Sequence, residues 1–221
     1  RDLVRYRGLG DVYKRQGSYV GGLFVFESKL TQEFRLHFDE KIAEMFQSIG
    51  IREGSVWIEV FHDGENYYFN EVGFRYGGSV SIYPVDYFYQ INQVAADIHY
   101  ALTGESCISE HTSLIRSTLP RKKYYCIYPV HINAGTISSI SGLDKIAQLE
   151  NIVYLATTKY LHDRIESSGS FSQVFALVHF VCNTTEECIQ TIDRIHQMLV
   201  VFDEHGNNMV NRMLDVGKII F

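Results

Sequence analysis

Glu59 and Glu71 stand twelve residues apart on either side of the Asp63-Gly64 pair in VWIEVFHDGENYYFNEVGFRYGG, and Arg75 follows four residues later. Two carboxylates aimed at one point repel, and a divalent cation held by hard oxygen ligands is the usual remedy. Magnesium on nucleotide phosphates fits such a pair best. The planar guanidinium of Arg75 suits a transferring phosphate or a carboxylate, which it can hold through two parallel hydrogen bonds. Gly77 and Gly78 come next and let the backbone approach a ligand. By spacing alone, paired acids on a hairpin fit a solvated face as well.

These residues need a scaffold. Ser55 to Phe61 reads as a strand, His62 to Glu65 as a turn around Asp-Gly, and Asn66 to Glu71 as the returning strand. Ahead of this hairpin, Ile42, Met45, Phe46 and Ile49 fall at helical spacing between Asp39 and Gly50, which predicts an amphipathic helix from about Phe38 to Ile49. Behind it, Pro84 opens a second helix with Phe88, Ile91, Val94, Ala95, Ile98 and Leu102 on one face, ending at Thr103-Gly104. Residues 106–121 are polar and read as a linker. Beyond them, apolar β-rich stretches at Tyr124 to Ile132, Ile152 to Thr158 and Val174 to Cys182 precede a helix whose start carries a T-T-E-E capping box with Glu187 at its third position. The fold class expected is α+β, with residues 17–105 and 122–221 as two domains.

The opening RDLVRYRGLGDVYKRQ has neither a helical nor a strand period and reads as a non-native addition of the kind fused to assembled reading frames, so residues 1–16 are left out of the expected fold. Native sequence then starts abruptly near Gly17, which makes the chain a fragment on this reading. The formal charge of −6 includes a net +3 in that opening stretch, leaving −9 for the rest. An acidic body of this kind is a poor partner for nucleic acid. No long apolar run or leader pattern is present, and the expected location is the cytoplasm, with no membrane partner. With 46% hydrophobic residues the chain can bury a core.

Four cysteines, Cys107, Cys126, Cys182 and Cys188, lack the spacing of a zinc or redox motif and are expected to be free, mostly buried thiols. None of the nine histidines pairs with another at helical spacing, which leaves a zinc site unsupported. His62 and His131 lie where a nucleotide-facing role is conceivable, and His179 sits in an apolar strand as a core group. Tyr83, Tyr87 and Tyr89 read as partial core and surface.

The succession of helix, G-S-V-W-I-E-V, Y-Y-F-N-E-V-G-F-R-Y-G-G and a helix ending in A-L-T-G resembles the C-terminal lobe of the ATP-grasp superfamily. The later H-I-N-A-G-T-I-S-S-I-S-G-L-D-K-I stretch resembles the small α+β domain appended to amino-acid-ligase-like members. The resemblance covers most of residues 23 to 210 and is strongest at the hairpin. It implies a ligase that joins a carboxylate to an amine or ammonia through an acylphosphate, with ATP and Mg2+, or Mn2+, as cofactors. It makes Glu59 and Glu71 the metal ligands and Arg75 the catalytic contact to phosphate or acylphosphate. Lys29, in F-E-S-K-L, falls where several members place a substrate-contacting lysine, and with Gly77 and Gly78 completes the implied binding set. Gly73 stands where the usual E-x-N-x-R motif has asparagine, as in branches similar to the carbamoyl-phosphate synthase large subunit. Small-molecule carboxylate and amine substrates are the implied partners, and a homodimer is compatible with this reading. The alternative is a catalytically dead binding or scaffold module with Gly73 as its mark.

Overall fold

The computed structural model describes residues 4–7, 10–14, 21–51, 53–78, 80–107 and 123–212. The chain divides into two compact units, one comprising residues 1–11 and 26–121 and the other residues 12–25 and 122–221. From residue 108 onward the expected linker lies outside the described residues.

Within the opening sixteen residues, two strands form despite the lack of any strand period: β1 (Val4–Arg7) and β2 (Gly10–Lys14). Strand β3 (Gly21–Phe26) follows, and then α1 (Lys29–Ser48). The helix begins about ten residues before the apolar periodicity predicts, because Ser28 caps it, its hydroxyl accepting from the Thr31 amide at 3.1 Å. Leu30, Phe34, Phe38 and Ile42, four residues apart, carry a packed apolar stripe back to that cap. The apolar face is also displaced: Phe34 is buried, Ile42 and Phe46 are half-buried, and Met45 and Ile49 are exposed.

In the first unit β4 (Trp57–His62) and β5 (Tyr67–Gly73) form the expected hairpin, and β1 pairs antiparallel with β4 from Val4 opposite His62 to Arg7 opposite Glu59. Asp63 Oδ1 accepts from the amides of Glu65 and Asn66, and Gly64 adopts φ 103°, so the Asp-Gly pair closes the turn. An aromatic cluster joins α1 to β5, with Phe34 and Phe38 each about perpendicular to Tyr67 at 5.5 and 5.3 Å between ring centres.

The long helix expected after Pro84 is two helices, α2 (Ile82–Tyr89) and α3 (Gln93–Thr103). Gln90 turns to φ 56°, and Asn92 Oδ1 caps α3 by accepting from the Ala95 amide at 3.0 Å. The local cap outweighs a continuous apolar face. Tyr89 is buried, donates to the Glu27 carboxylate, and accepts from Arg35 Nη1 at 2.7 Å. This network ties the end of α2 to the start of α1.

In the second unit the sheet order is β3, β6 (Tyr124–His131), β10 (Val174–Cys182), β8 (Ile152–Thr157), with β10 antiparallel to both of its neighbours. A small sheet has the order β11 (Val200–Asp203), β7 (Gly135–Ser141), β9 (Arg164–Ile165). Among the described residues of this unit the α-helices are the short α4 (Leu143–Ala147) and α5 (Thr185–Met198). Along α5, Cys188, Thr191, Ile192, Ile195 and His196 are buried, a helical spacing that makes one face. Thr184 caps it as the sequence predicts, accepting from the Glu187 amide at 3.2 Å, while the Glu187 carboxylate reaches back to the Asn183 amide at 2.7 Å.

Candidate functional site

The hairpin register decides what its acids can do. His62 to Val60 pair in regular succession with Tyr67 to Phe69, and continued without interruption that register would set Glu59 opposite Asn70 and send Glu71 to the other face. A bulge intervenes between Glu59 and Val60, so that Glu59 instead stands opposite Glu71. The extra residue is Asn70, and the bulge gives Glu59, Asn70 and Glu71 a common face. Asn70 Nδ2 donates to Glu59 Oε2 at 3.0 Å. Glu59 is buried at 1% exposure while Glu71 is exposed, so one carboxylate is fixed inside and its neighbour looks outward.

The next cross-strand pair on that face is Trp57 with Gly73, and Arg75 lies beyond it. The guanidinium carbon of Arg75 sits 4.7 Å from the centre of the buried Trp57 ring, within the range of a cation–π contact. Arg75 Nη1 also donates to the Tyr76 carbonyl at 3.0 Å. Gly73 makes room for this stack, since a Cβ there would come within 3.3 Å of Arg75 Nε and 3.4 Å of Trp57 Cε3. At Gly77 the fit is close, and a Cβ would lie 2.5 Å from Ser81 Oγ and 3.1 Å from Trp57 Cδ1, so the serine hydroxyl would have to rotate away. At Gly78 the corresponding space is open.

The hairpin ladder therefore pairs Glu59 with Glu71, and Arg75 and Gly77 lie past its end beside Trp57. Lys29 opens α1, its ammonium exposed and 3.9 Å from Glu33 Oε1, and among the described residues it pairs with neither hairpin acid. Trp57 and Asn70 were not singled out by the sequence reading. Trp57 lies two residues before Glu59 and so shares its face, a signal that strand alternation carries; Asn70 falls opposite Glu59 in the uninterrupted register, and it is Glu71 that only the bulge brings to that side.

The cysteines are free thiols, as expected, with Cys126, Cys182 and Cys188 buried and Cys107 exposed. Cys126, Cys182 and Cys188, separated by 56 and 62 positions, meet in the second unit with Sγ distances of 3.7 Å from Cys126 to Cys182 and 4.0 Å from Cys126 to Cys188. Motif spacing cannot reveal a cluster that depends on strand register. His179 is a core group, as expected, with Nδ1 3.0 Å from the Tyr125 hydroxyl. No helix among the described residues is long and apolar enough to cross a membrane.

No known family model and no curated protein matches this sequence. Solved structures do match. The chain superimposes on an L-amino acid ligase from Bacillus licheniformis with a TM-score of 0.72 at 20% identity, covering 91% of this chain and 52% of that one. Phosphoribosylglycinamide synthetase from Anaerococcus prevotii matches with a TM-score of 0.70 at 12% identity, over 91% of this chain and 53% of that one. A biotin carboxylase domain of 2-oxoglutarate carboxylase from Hydrogenobacter thermophilus, solved as a dimer with MgADP and bicarbonate, matches with a TM-score of 0.61 at 15% identity, over 95% and 46%. The chain thus spans about half the length of these enzymes, and over that span it carries the ATP-grasp fold.

Proposed function

We propose that this chain is the C-terminal part of an ATP-dependent ligase that joins a carboxylate to an amine or ammonia through an acylphosphate, with the β4–β5 hairpin as half of its nucleotide site. The observation that carries this reading is the cross-strand pairing of Glu59 with Glu71, created by the Asn70 bulge. A buried carboxylate beside an outward-facing one is a donor set of hard oxygens, which fits Mg2+ or Mn2+. Bound there, the cation would neutralise charge on the nucleotide phosphates.

The protein's own groups divide the remaining work. Asn70 holds one oxygen of Glu59, which leaves that carboxylate with a fixed orientation. Trp57 carries Arg75 on its ring, and the guanidinium offers parallel donors to a transferring phosphate or to the acylphosphate. Gly77 and Gly78 give the backbone access to the nucleotide, and the exposed Lys29 offers a cation to the substrate. Gly73 aligns the chain with the branch similar to carbamoyl-phosphate synthase, and the match to an L-amino acid ligase favours an amino acid as the carboxylate. A cytoplasmic enzyme, as a homodimer, fits this reading.

Nucleotide protection of the full-length parent tests the proposal. Mg-ADP at one hundred times its Kd is expected to stabilise that protein by about 2.7 kcal/mol, read as a rise in its melting temperature. Glu71→Gln should remove most of the rise and abolish ligase turnover. Protection and turnover that survive both Glu59→Gln and Glu71→Gln would sink the assignment. The 221 residues alone, spanning about half of the solved enzymes, are expected not to hydrolyse ATP; hydrolysis that depends on Glu59 would overturn that part.

A further inference from the structure

The three clustered thiols serve no part of the hairpin chemistry. Cys126 lies on β6, Cys182 at the end of β10 and Cys188 in the first turn of α5, so three separate elements deliver sulfur to one place. Their Sγ atoms all lie within 4.8 Å of one another. A cation about 2.3 Å from each thiolate would set the sulfurs roughly 3.8 Å apart in a tetrahedral site. The separations of 3.7 and 4.0 Å from Cys126 to the other two bracket that value.

Register argues for convergence on a shared centre rather than for a disulfide. Cys126 stands opposite Phe180, and Cys182 opposite Tyr124, so the two cysteines are diagonal neighbours on adjacent antiparallel strands. Diagonal positions are about 7–8 Å apart at Cα, beyond the usual disulfide limit of about 6.8 Å. The sulfurs approach because the side chains lean together across that diagonal.

The surroundings suit a soft cation. Cys126 and Cys188 are fully buried in the apolar core, where an uncompensated thiolate would be costly and a metal-bound one is neutralised. Cys182 lines a recess of about 370 Å³ together with Asn183, Glu187 and Thr191, which gives a path for entry and room for a carboxylate or water as a fourth ligand. Lys123 and Arg194 line the same recess and offset negative charge.

We propose that Cys126, Cys182 and Cys188 form a three-thiolate site for a soft closed-shell cation, Zn(II) or Cu(I), entered from the recess at the start of α5. As each metal–sulfur bond forms, that thiol releases its proton to solvent. No electron is transferred, and no further reactant is needed.

The test uses the full chain, reduced with a non-thiol reductant under anaerobic conditions. Co(II) serves as a spectroscopic probe, and Zn(II) and Cu(I) as separate arms. One equivalent of cobalt is expected to give thiolate-to-cobalt charge-transfer absorption, displaced by whichever native cation the site takes. Native mass spectrometry should show one zinc or one copper added and the matching protons lost. Cys107→Ser should leave all of this unchanged, and Cys182→Ser should weaken binding at least tenfold. If a serine variant does not fold, the unaltered chain still decides. A cobalt spectrum without sulfur charge transfer, or the absence of both zinc and copper adducts, overturns the proposal.

Discussion

Strands β6 and β10 of the second unit are buried along nearly their whole length on both faces, and α5 closes a single large core over them that includes Phe175, Phe180, Ile192 and Ile195. The hairpin unit is built differently. Its compact cluster centres on Phe34 and Val60, while Phe69, Val72 and Phe74 on or beside β5 are at least half exposed. Polar and aromatic contacts hold its positions instead: Asn70 on Glu59, Arg75 on Trp57, and Tyr89 between Glu27 and Arg35. The larger apolar core lies in one unit and the acid hairpin in the other, which is how charged groups stay accessible without interrupting that core.

Truncating core aromatics tests that division most severely. Phe175→Ala, in a fully buried position, should cost about 3–5 kcal/mol. Phe34→Ala should cost less, about 1.5–3 kcal/mol, because its cluster is small and open to relaxation. Urea titration of each variant reads the difference, and equal losses would dissolve the contrast between the units.

A smaller effect is expected at the start of α5. Thr184→Ala removes the hydroxyl that caps the helix and should cost about 1 kcal/mol, visible as faster hydrogen exchange at the Glu187 amide. The smallest effect is a pH dependence confined to the second unit. Burial, with Arg212 nearby, holds the His196 imidazole below its ordinary value, and its Nε2 lies 2.6 Å from the Tyr128 hydroxyl. The unfolded chain takes up a proton near about pH 6.5 that the folded imidazole still refuses, so stability falls as pH drops through that value. The loss levels off once the folded imidazole titrates too. His196→Gln should flatten the profile of urea midpoints measured across this range.

What could be read from the sequence follows from how local each cause is. The Asp-Gly turn, the strands around it and the capped start of α5 depend on residues within a few positions of one another, and they lie where the sequence places them. The start of α1 and the break between α2 and α3 also have local causes, in Ser28 and Asn92. At Asn92 a capping side chain interrupts an apolar period that suggests one longer helix, while at Ser28 it starts a helix longer than the predicted one. The thiol cluster and the Glu27–Tyr89–Arg35 network are of another kind, because tertiary packing alone brings their members together. Gly73 lies between these cases. Its departure from the E-x-N-x-R motif is visible in the sequence, but its effect on Arg75 becomes readable only once Trp57 stands opposite it.

The Asn70 bulge bears on how such hairpins are recognised in other chains. Strict alternation assigns Asn70 and Glu71 to opposite sides, so a search template that assumes it would score the acid pair as broken. A template that admits one slipped position between Phe69 and Glu71 recovers it. The same slip fixes the tolerance of this region to length change: removing Asn70 would leave the acids opposed but take away the amide that orients Glu59. Acid spacing and ligand orientation are therefore separable quantities, and comparisons among distant sequences can follow each one independently.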